Sequence, residues 1–308
     1  MHHRANDPRP ALSRRTFTAL VAGAAAAAAR PASARLRRLA GETIVGEGPH
    51  TYRVKHNFPH LPDRFTWQTT HNVAVDSAGN LYVIHEGNKD KKDHPAIFVF
   101  DAEGKFIRAF GSEFQGGGHG IEVRKEGSEE FLYVCGYQGV KAFAKMTPAG
   151  EIVWFRKAPM ESGAYAPGED ISTKPSWNRQ GFLPTNFAFL DDGGFLLADG
   201  YGSFKIHRYD KDAKWLGAFG GAGEGKGTFA TPHGLWIDRR PGREPTIVVT
   251  DRAHNTLQLF TLDGTYKDTI PGFGLPANLD TWQGLMVVPE LKSSVTLLDE
   301  KNQVVARL

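Results

Sequence analysis

From residue 70 onward the apolar positions fall in short runs bounded by Gly, Pro, Asn, Asp or Ser, too brief and too closely punctuated for helices. One such stretch is Val73-Ala74-Val75-Asp76, the turn Ser77-Ala78-Gly79-Asn80, Leu81-Tyr82-Val83, Ile97-Phe98-Val99-Phe100-Asp101, Gly104 and Phe106-Ile107-Arg108-Ala109-Phe110. It predicts four consecutive antiparallel strands, a meander. The pattern recurs, opening each time with Pro or Gly before a His or a small residue, or close to it: Thr70-His71-Asn72, Gly118-His119-Gly120, Pro184-Thr185-Asn186, Pro232-His233-Gly234 and Pro276-Ala277-Asn278. Equivalent positions 71, 119, 185, 233 and 277 are 48, 66, 48 and 44 residues apart. The long interval holds a polar insertion, residues 159–181, which reads as a surface loop.

A period in the forties with four strands per repeat predicts an all-β propeller of four-stranded blades around a central channel. Five blades are visible. A sixth is expected and is missing at the C-terminus; the two explanations are a chain shortened there and a five-bladed ring, and shortening is favoured because an open ring exposes strand edges. Residues 35–69 offer one strand, around His50-Thr51-Tyr52-Arg53-Val54, suited to closing a blade formed by the far terminus.

The elements His233-Gly234-Leu235-Trp236-Ile237-Asp238, 76–83 and 100–106 resemble NHL repeats, and the resemblance covers residues 70–308. NHL-type motifs specify a fold far better than a function.

Composition agrees with a β protein: the 308 residues include 35 Gly, 18 Pro, 20 Phe, 8 Tyr and 6 Trp. The formal charge of +3 belongs to the first 34 residues, whose five Arg and one Asp, once set aside, leave about −1. No Lys/Arg run with interleaved aromatics remains, which argues against a nucleic-acid partner. The single Cys135, in an apolar strand, reads as a buried structural side chain. Residues 1–34 look like a twin-arginine export signal: Ser13-Arg14-Arg15-Thr16-Phe17-Thr18, an apolar stretch from Ala19 to Ala29, and Ala32-Ser33-Ala34. That stretch is too short for a permanent membrane span. The expected location is periplasmic or extracellular.

Repeat-equivalent positions at the start of innermost strands form a ring at one mouth of the channel, so His71, His119 and His233 are expected to converge there. Three imidazoles with an open fourth position are the usual first shell of a catalytic zinc ion; the plain alternative is that they bond backbone carbonyls across the channel. The block order is also similar to the propeller of peptidyl-α-hydroxyglycine α-amidating lyases, which are zinc-dependent. The matching residues are His119, then Pro184-Thr185 with Asp199-Gly200-Tyr201, then Pro232-His233 with Asp251-Arg252. That resemblance implies His119 and His233 as zinc ligands, Tyr201 as a general base with lowered pKa, and Arg252 as a catalytic group that orients or polarises its neighbours. Asp199 and Asp251 are expected to fix loops. The family's third His and a calcium-associated Asp lie in the blade missing here, leaving His71 as the stand-in third ligand, and a family Arg is matched by Glu86 of the pair His85-Glu86. The expected function is an exported zinc-dependent enzyme, lyase- or hydrolase-like, acting on a small or peptide-derived substrate at the channel mouth. The alternative is a non-enzymatic propeller that binds a protein, peptide or glycan partner.

Overall fold

The four strands of the first repeat, β4 (Thr70–Val75), β5 (Leu81–His85), β6 (Ile97–Phe100) and β7 (Phe106–Phe110), pair in sequence order as one antiparallel sheet. This computed structural model describes residues 37–39, 42–88, 90–91 and 94–308, all within one compact unit spanning residues 31–308. The leader expected over residues 1–34 lies outside the described residues.

Four more four-stranded meanders follow. The second blade is β8 (Gly118–Glu126), β9 (Glu129–Gly136), β10 (Ala142–Met146) and β11 (Ile152–Arg156). The third is β12 (Asn186–Phe189), β13 (Phe195–Ala198), β14 (Lys205–Tyr209) and β15 (Trp215–Gly220), and the fourth β16 (Pro232–Asp238), β17 (Thr246–Asp251), β18 (Thr256–Phe260) and β19 (Tyr266–Pro271). The fifth is β20 (Asp280–Trp282), β21 (Leu285–Glu290), β22 (Ser294–Leu298) and β23 (Val304–Arg307). The molecule is a propeller ring of five four-stranded blades.

One turn device recurs between strands. An Asp at a strand's end accepts two backbone N–H groups of the following turn through a single oxygen: Asp76 Oδ1 from Ala78 and Asn80, Asp101 Oδ1 from Glu103 and Lys105, Asp210 Oδ1 from Asp212 and Lys214, Asp299 Oδ1 from Lys301 and Gln303. These Asx turns reverse the chain without help from tertiary packing.

Middle strands are apolar at consecutive positions because both faces of a blade are covered. All four residues of β6 are buried, as are all six of β17. Apolar clusters fill the spaces between blades one and two (Ile84 and Ile97 on Ile121 and Val134), two and three (Tyr133 and Phe143 on Phe187 and Phe195), three and four (Leu196 and Ile206 on Leu235 and Ile247), and four and five (Val248 and Leu257 on Met286 and Val288). Cys135 is fully buried in the second of these, and burial pushes its thiol far up.

Among the described residues no cluster spans blades five and one. The outer face of blade one, Val83, Phe98 and Phe100, is covered by Leu61 and Phe65. On blade five, Val287, Val295 and Leu297 face Val45, Tyr52 and Val54 of the hairpin β2 (Glu42–Glu47) and β3 (His50–Val54) across an apolar groove of about 660 Å³. The strand expected at 50–54 is present, but it pairs with β2, in a three-stranded sheet with β1 (Arg37–Leu39), and extends no blade. No helix of the described residues is long and apolar enough to cross a membrane.

The 159–181 insertion is not the plain surface loop its polarity suggests. Tyr165 and Glu169 are buried, and Lys141 Nζ meets Glu169 Oε1 at 2.6 Å with both side chains shielded from solvent.

Candidate functional site

Each of the three histidines sits on a β-bulge. The ladder slips between Thr70 and Asn72, between Gly118 and Gly120, and between Pro232 and Gly234, so His71, His119 and His233 are the extra residues. A bulge re-aims the side chain it carries, and here it turns all three imidazoles to the channel mouth. The His71 and His119 rings stack with centroids 4.3 Å apart, and His119 meets His233 edge to face at 4.9 Å.

His119 Nδ1 lies 2.9 Å from the Thr185 carbonyl oxygen, and His233 Nδ1 lies 2.6 Å from that of Ala277. A carbonyl only accepts, so each Nδ1 carries the proton and each Nε2 offers a lone pair. Both lone pairs face the Tyr201 hydroxyl, at 2.8 Å from His233 Nε2 and 3.4 Å from His119 Nε2. Arg252 Nη1 donates to the same hydroxyl at 3.0 Å, its guanidinium 5.0 Å from the Tyr201 ring centroid.

Two turns bring Tyr201 and Arg252 here. Asp199, buried at the end of β13, accepts from the Leu183 and Ser203 amides and the Ser203 and Tyr165 hydroxyls. Asp251, at the end of β17, accepts from the Ala230 and Thr231 amides and from Gln258. Both carboxylates fix loops, as their position at strand ends suggests.

Burial sets the electrostatics of this mouth. It holds His119 well below its ordinary pKa, with the neighbouring imidazoles adding to the effect, and draws His233 down to about 3 and His71 to about 4, with Arg252 as the second cause for both. All three rings are neutral at ordinary pH. The Tyr201 phenol goes up, since desolvation outweighs the pull of Arg252. The lowered phenol expected from the sequence is therefore not the state of the protein without a cation, and its hydroxyl is a proton donor.

The donors only partly suit a divalent metal. His119 and His233 fit: each Nδ1 is pinned to a backbone carbonyl, the usual outer support of a metal-binding imidazole, and each Nε2 is directed at one point. His71 Nε2 is buried without a hydrogen-bond partner, yet its ring lies flat against His119, which sets the two side by side. Among the described residues no group of three or more His, Cys, Asp or Glu side chains is placed to hold a metal ion.

Three further residues belong to this mouth and are not singled out as ligand-binding groups by the sequence. Tyr137 packs on His71, His119 and Tyr201. Trp177, from the insertion, covers Tyr137 and Tyr201. Gln138 donates to the Tyr137 hydroxyl at 2.8 Å and also to Glu86, the acid standing where the lyase pattern has an Arg. The length of the insertion was the one sequence signal, and its polarity concealed the aromatic it delivers.

One residue deeper, Asn72, Asn186 and Asn278 close a cyclic hydrogen-bond triad at 3.3, 3.0 and 3.3 Å, which joins blades one, three and five at the axis. The intervening positions are Gly120 and Gly234, where an added Cβ would lie 2.5 Å from the Thr185 oxygen and 2.6 Å from Asn278 Cα. Alternating Asn and Gly is what lets five strands meet at so narrow an axis.

No family model matches the chain. NHL repeat-containing protein 3 of Homo sapiens is 28% identical over 240 residues, 76% of this chain and 62% of that protein, so the match spans less than two thirds of the relative's own length. This chain is a β-propeller similar to NHL-repeat proteins. Solved structures similar to this NHL-type propeller include a nidogen/laminin complex (TM-score 0.56, 13% identity, 89% of each chain) and a Xanthomonas campestris gluconolactonase (0.53, 13%, 90% and 84%). Virginiamycin B lyase of Staphylococcus aureus is another (0.53, 12%, 90% and 83%). At these identities the likeness concerns the fold alone.

Proposed function

We propose that this propeller is an exported enzyme, lyase- or hydrolase-like, that acts on a small or peptide-derived substrate at the mouth formed by His119, His233, Tyr201 and Arg252. One observation carries the reading: two imidazole lone pairs converge on a single phenolic hydroxyl, which has one proton for both. A buried acceptor left without a donor is costly, and a divalent cation held by His119 and His233 would relieve it. Imidazole donors suit zinc, which when bound supplies Lewis-acid polarisation of a substrate oxygen.

The protein's own groups supply the rest. Tyr201, kept protonated by burial, donates its proton to a leaving group or developing alkoxide. Arg252, which has no carboxylate partner among the described residues, neutralises developing negative charge beside it. Thr185 and Ala277 carbonyls hold the imidazole tautomers in place. The gluconolactonase and the virginiamycin B lyase among the structural neighbours have the same fold, so the scaffold is compatible with chemistry of this kind.

The test is elemental analysis of the purified protein beside a His119→Ala, His233→Ala double variant. About one zinc per chain in the wild type and none in the variant is the expected result, and it would direct substrate screening to α-hydroxyglycine peptides first. Absence of metal from a folded wild type would remove the metal-dependent enzyme and leave a propeller that binds a protein, peptide or glycan partner.

A further inference from the structure

The mouth has an aromatic wall that the blades alone do not build. Trp177 is 55% exposed, yet its ring is not loose: it meets Tyr137 edge to face at 5.9 Å and Tyr201 at 5.5 Å. The insertion carrying it is held at three places. Lys141 and Glu169 form their buried ion pair at 2.6 Å, Lys141 Nζ also reaches the Lys174 carbonyl at 3.0 Å, and Glu169 Oε1 takes the Phe182 amide at 2.7 Å. The Tyr165 hydroxyl contacts Asp199 at 3.0 Å and His207 Nε2 at 2.6 Å. Close to Trp177 itself, Arg179 donates to the Tyr201 carbonyl at 3.3 Å. Burying an ion pair to fasten an otherwise polar loop is an expensive way to gain stability. The insertion so fastened places one exposed indole beside the Tyr201 ring.

Tyr201 is also where the free charge is. Arg252 spends one donor on its hydroxyl, and among the described residues no carboxylate lies within ion-pair distance of the guanidinium. An exposed aromatic face and an uncompensated cation thus border the same tyrosine ring, on contacts of 5.5 and 5.0 Å. Guanidinium groups with spare donors suit carboxylates, and a fixed indole suits a flat apolar group, which it can stack or meet edge on.

We infer that Trp177 is a specificity-determining binding residue, selecting ligands that carry a flat aromatic group next to a carboxylate, with the carboxylate on Arg252. This rests on the reading of the mouth as a ligand site. It goes beyond that reading by naming the insertion, and one residue of it, as what discriminates among ligands.

Titration of the full chain with 3-phenylpropanoate and with propanoate, followed by ligand-observed NMR, tests it in the wild type and in Trp177→Ala, Trp177→Phe and Arg252→Ala. The wild type should bind the phenyl compound more tightly, and Trp177→Ala should erase that preference, about 3- to 10-fold, without weakening propanoate. Trp177→Phe should keep most of the preference, and Arg252→Ala should weaken both anions. A preference that survives Trp177→Ala, or is absent from the wild type, overturns the inference; if Arg252→Ala still abolishes binding in that case, the mouth stands as a ligand site. Binding of neither anion by the wild type overturns both.

Discussion

Tyr201 Oη lies 2.8 Å from His233 Nε2, a hydrogen bond that joins the third blade to the fourth at the channel mouth. Arg252 Nη1 presses on the same oxygen from the fourth blade, and His119 Nε2 waits 3.4 Å away on the second. Replacing Tyr201 by Phe removes the one donor that, among the described residues, faces either lone pair. The expected loss of stability is about 1–3 kcal/mol, read by denaturant unfolding. Metal content should match the wild type, because the ligands proposed are the imidazoles. A variant that loses its metal as well would make the phenol a ligand.

The Lys141–Glu169 pair should behave asymmetrically. Glu169→Gln leaves Lys141 buried beside a neutral partner, and a cost of about 3–5 kcal/mol is expected in urea unfolding. Lys141→Met with Glu169→Leu removes both charges and should recover much of that loss. Near-equal stability of the single variant and the wild type would show that the ion pair does not fix the insertion.

Gly120→Ala tests how closely the blades approach at the axis. The new Cβ would lie 2.5 Å from the Thr185 oxygen and 2.7 Å from Cys135 Sγ, and the first of these is the carbonyl that holds His119 Nδ1. Overpacking here should cost about 1–3 kcal/mol and loosen the His119 ring, visible as a shifted or broadened imidazole resonance. An unchanged melting temperature would count against so tight an axis.

Stability should depend on pH from two directions. His233 and His207, buried and held to about 3, take up no proton in the folded protein as pH falls below 6.5, whereas the unfolded chain does. Each therefore costs stability below pH 6.5, at about 1.4 kcal/mol per pH unit until its folded pKa is reached. Glu122 is the opposite case. It faces a cavity of about 380 Å³ with Asp280 and Trp236, and burial pushes it up to about 8. Its contribution is present below pH 4.5 and fades as pH rises from 4.5 to 8. Glu122→Gln should accordingly raise the melting temperature at pH 8 and leave it unchanged at pH 4; an equal shift at both would assign the effect to packing.

Much of this architecture was legible because it is written locally. The turn aspartates, the strand runs and the repeated blade openings each depend on a handful of neighbouring residues, so the blades and the ring of His71, His119 and His233 followed from periodicity. The roles of Asp199 and Asp251 as loop anchors followed from their position at strand ends. The strand at 50–54 is legible in the sequence but its partner is not, because pairing is chosen by tertiary register and β2 takes it at short range.

What the sequence determined by itself was the repeat, and through rotational equivalence, which side chains share the mouth. Only the tertiary structure decided what they do to one another: the bulges that turn the rings inward, the stacking that sets His71 beside His119, the burial that raises Tyr201, and the anchored insertion that brings Trp177 to it. The reason is physical. Strand formation and turns depend on nearest neighbours, while desolvation, ring geometry and the fit of an inserted loop depend on atoms that fold in from other blades, and no spacing along the chain encodes those distances.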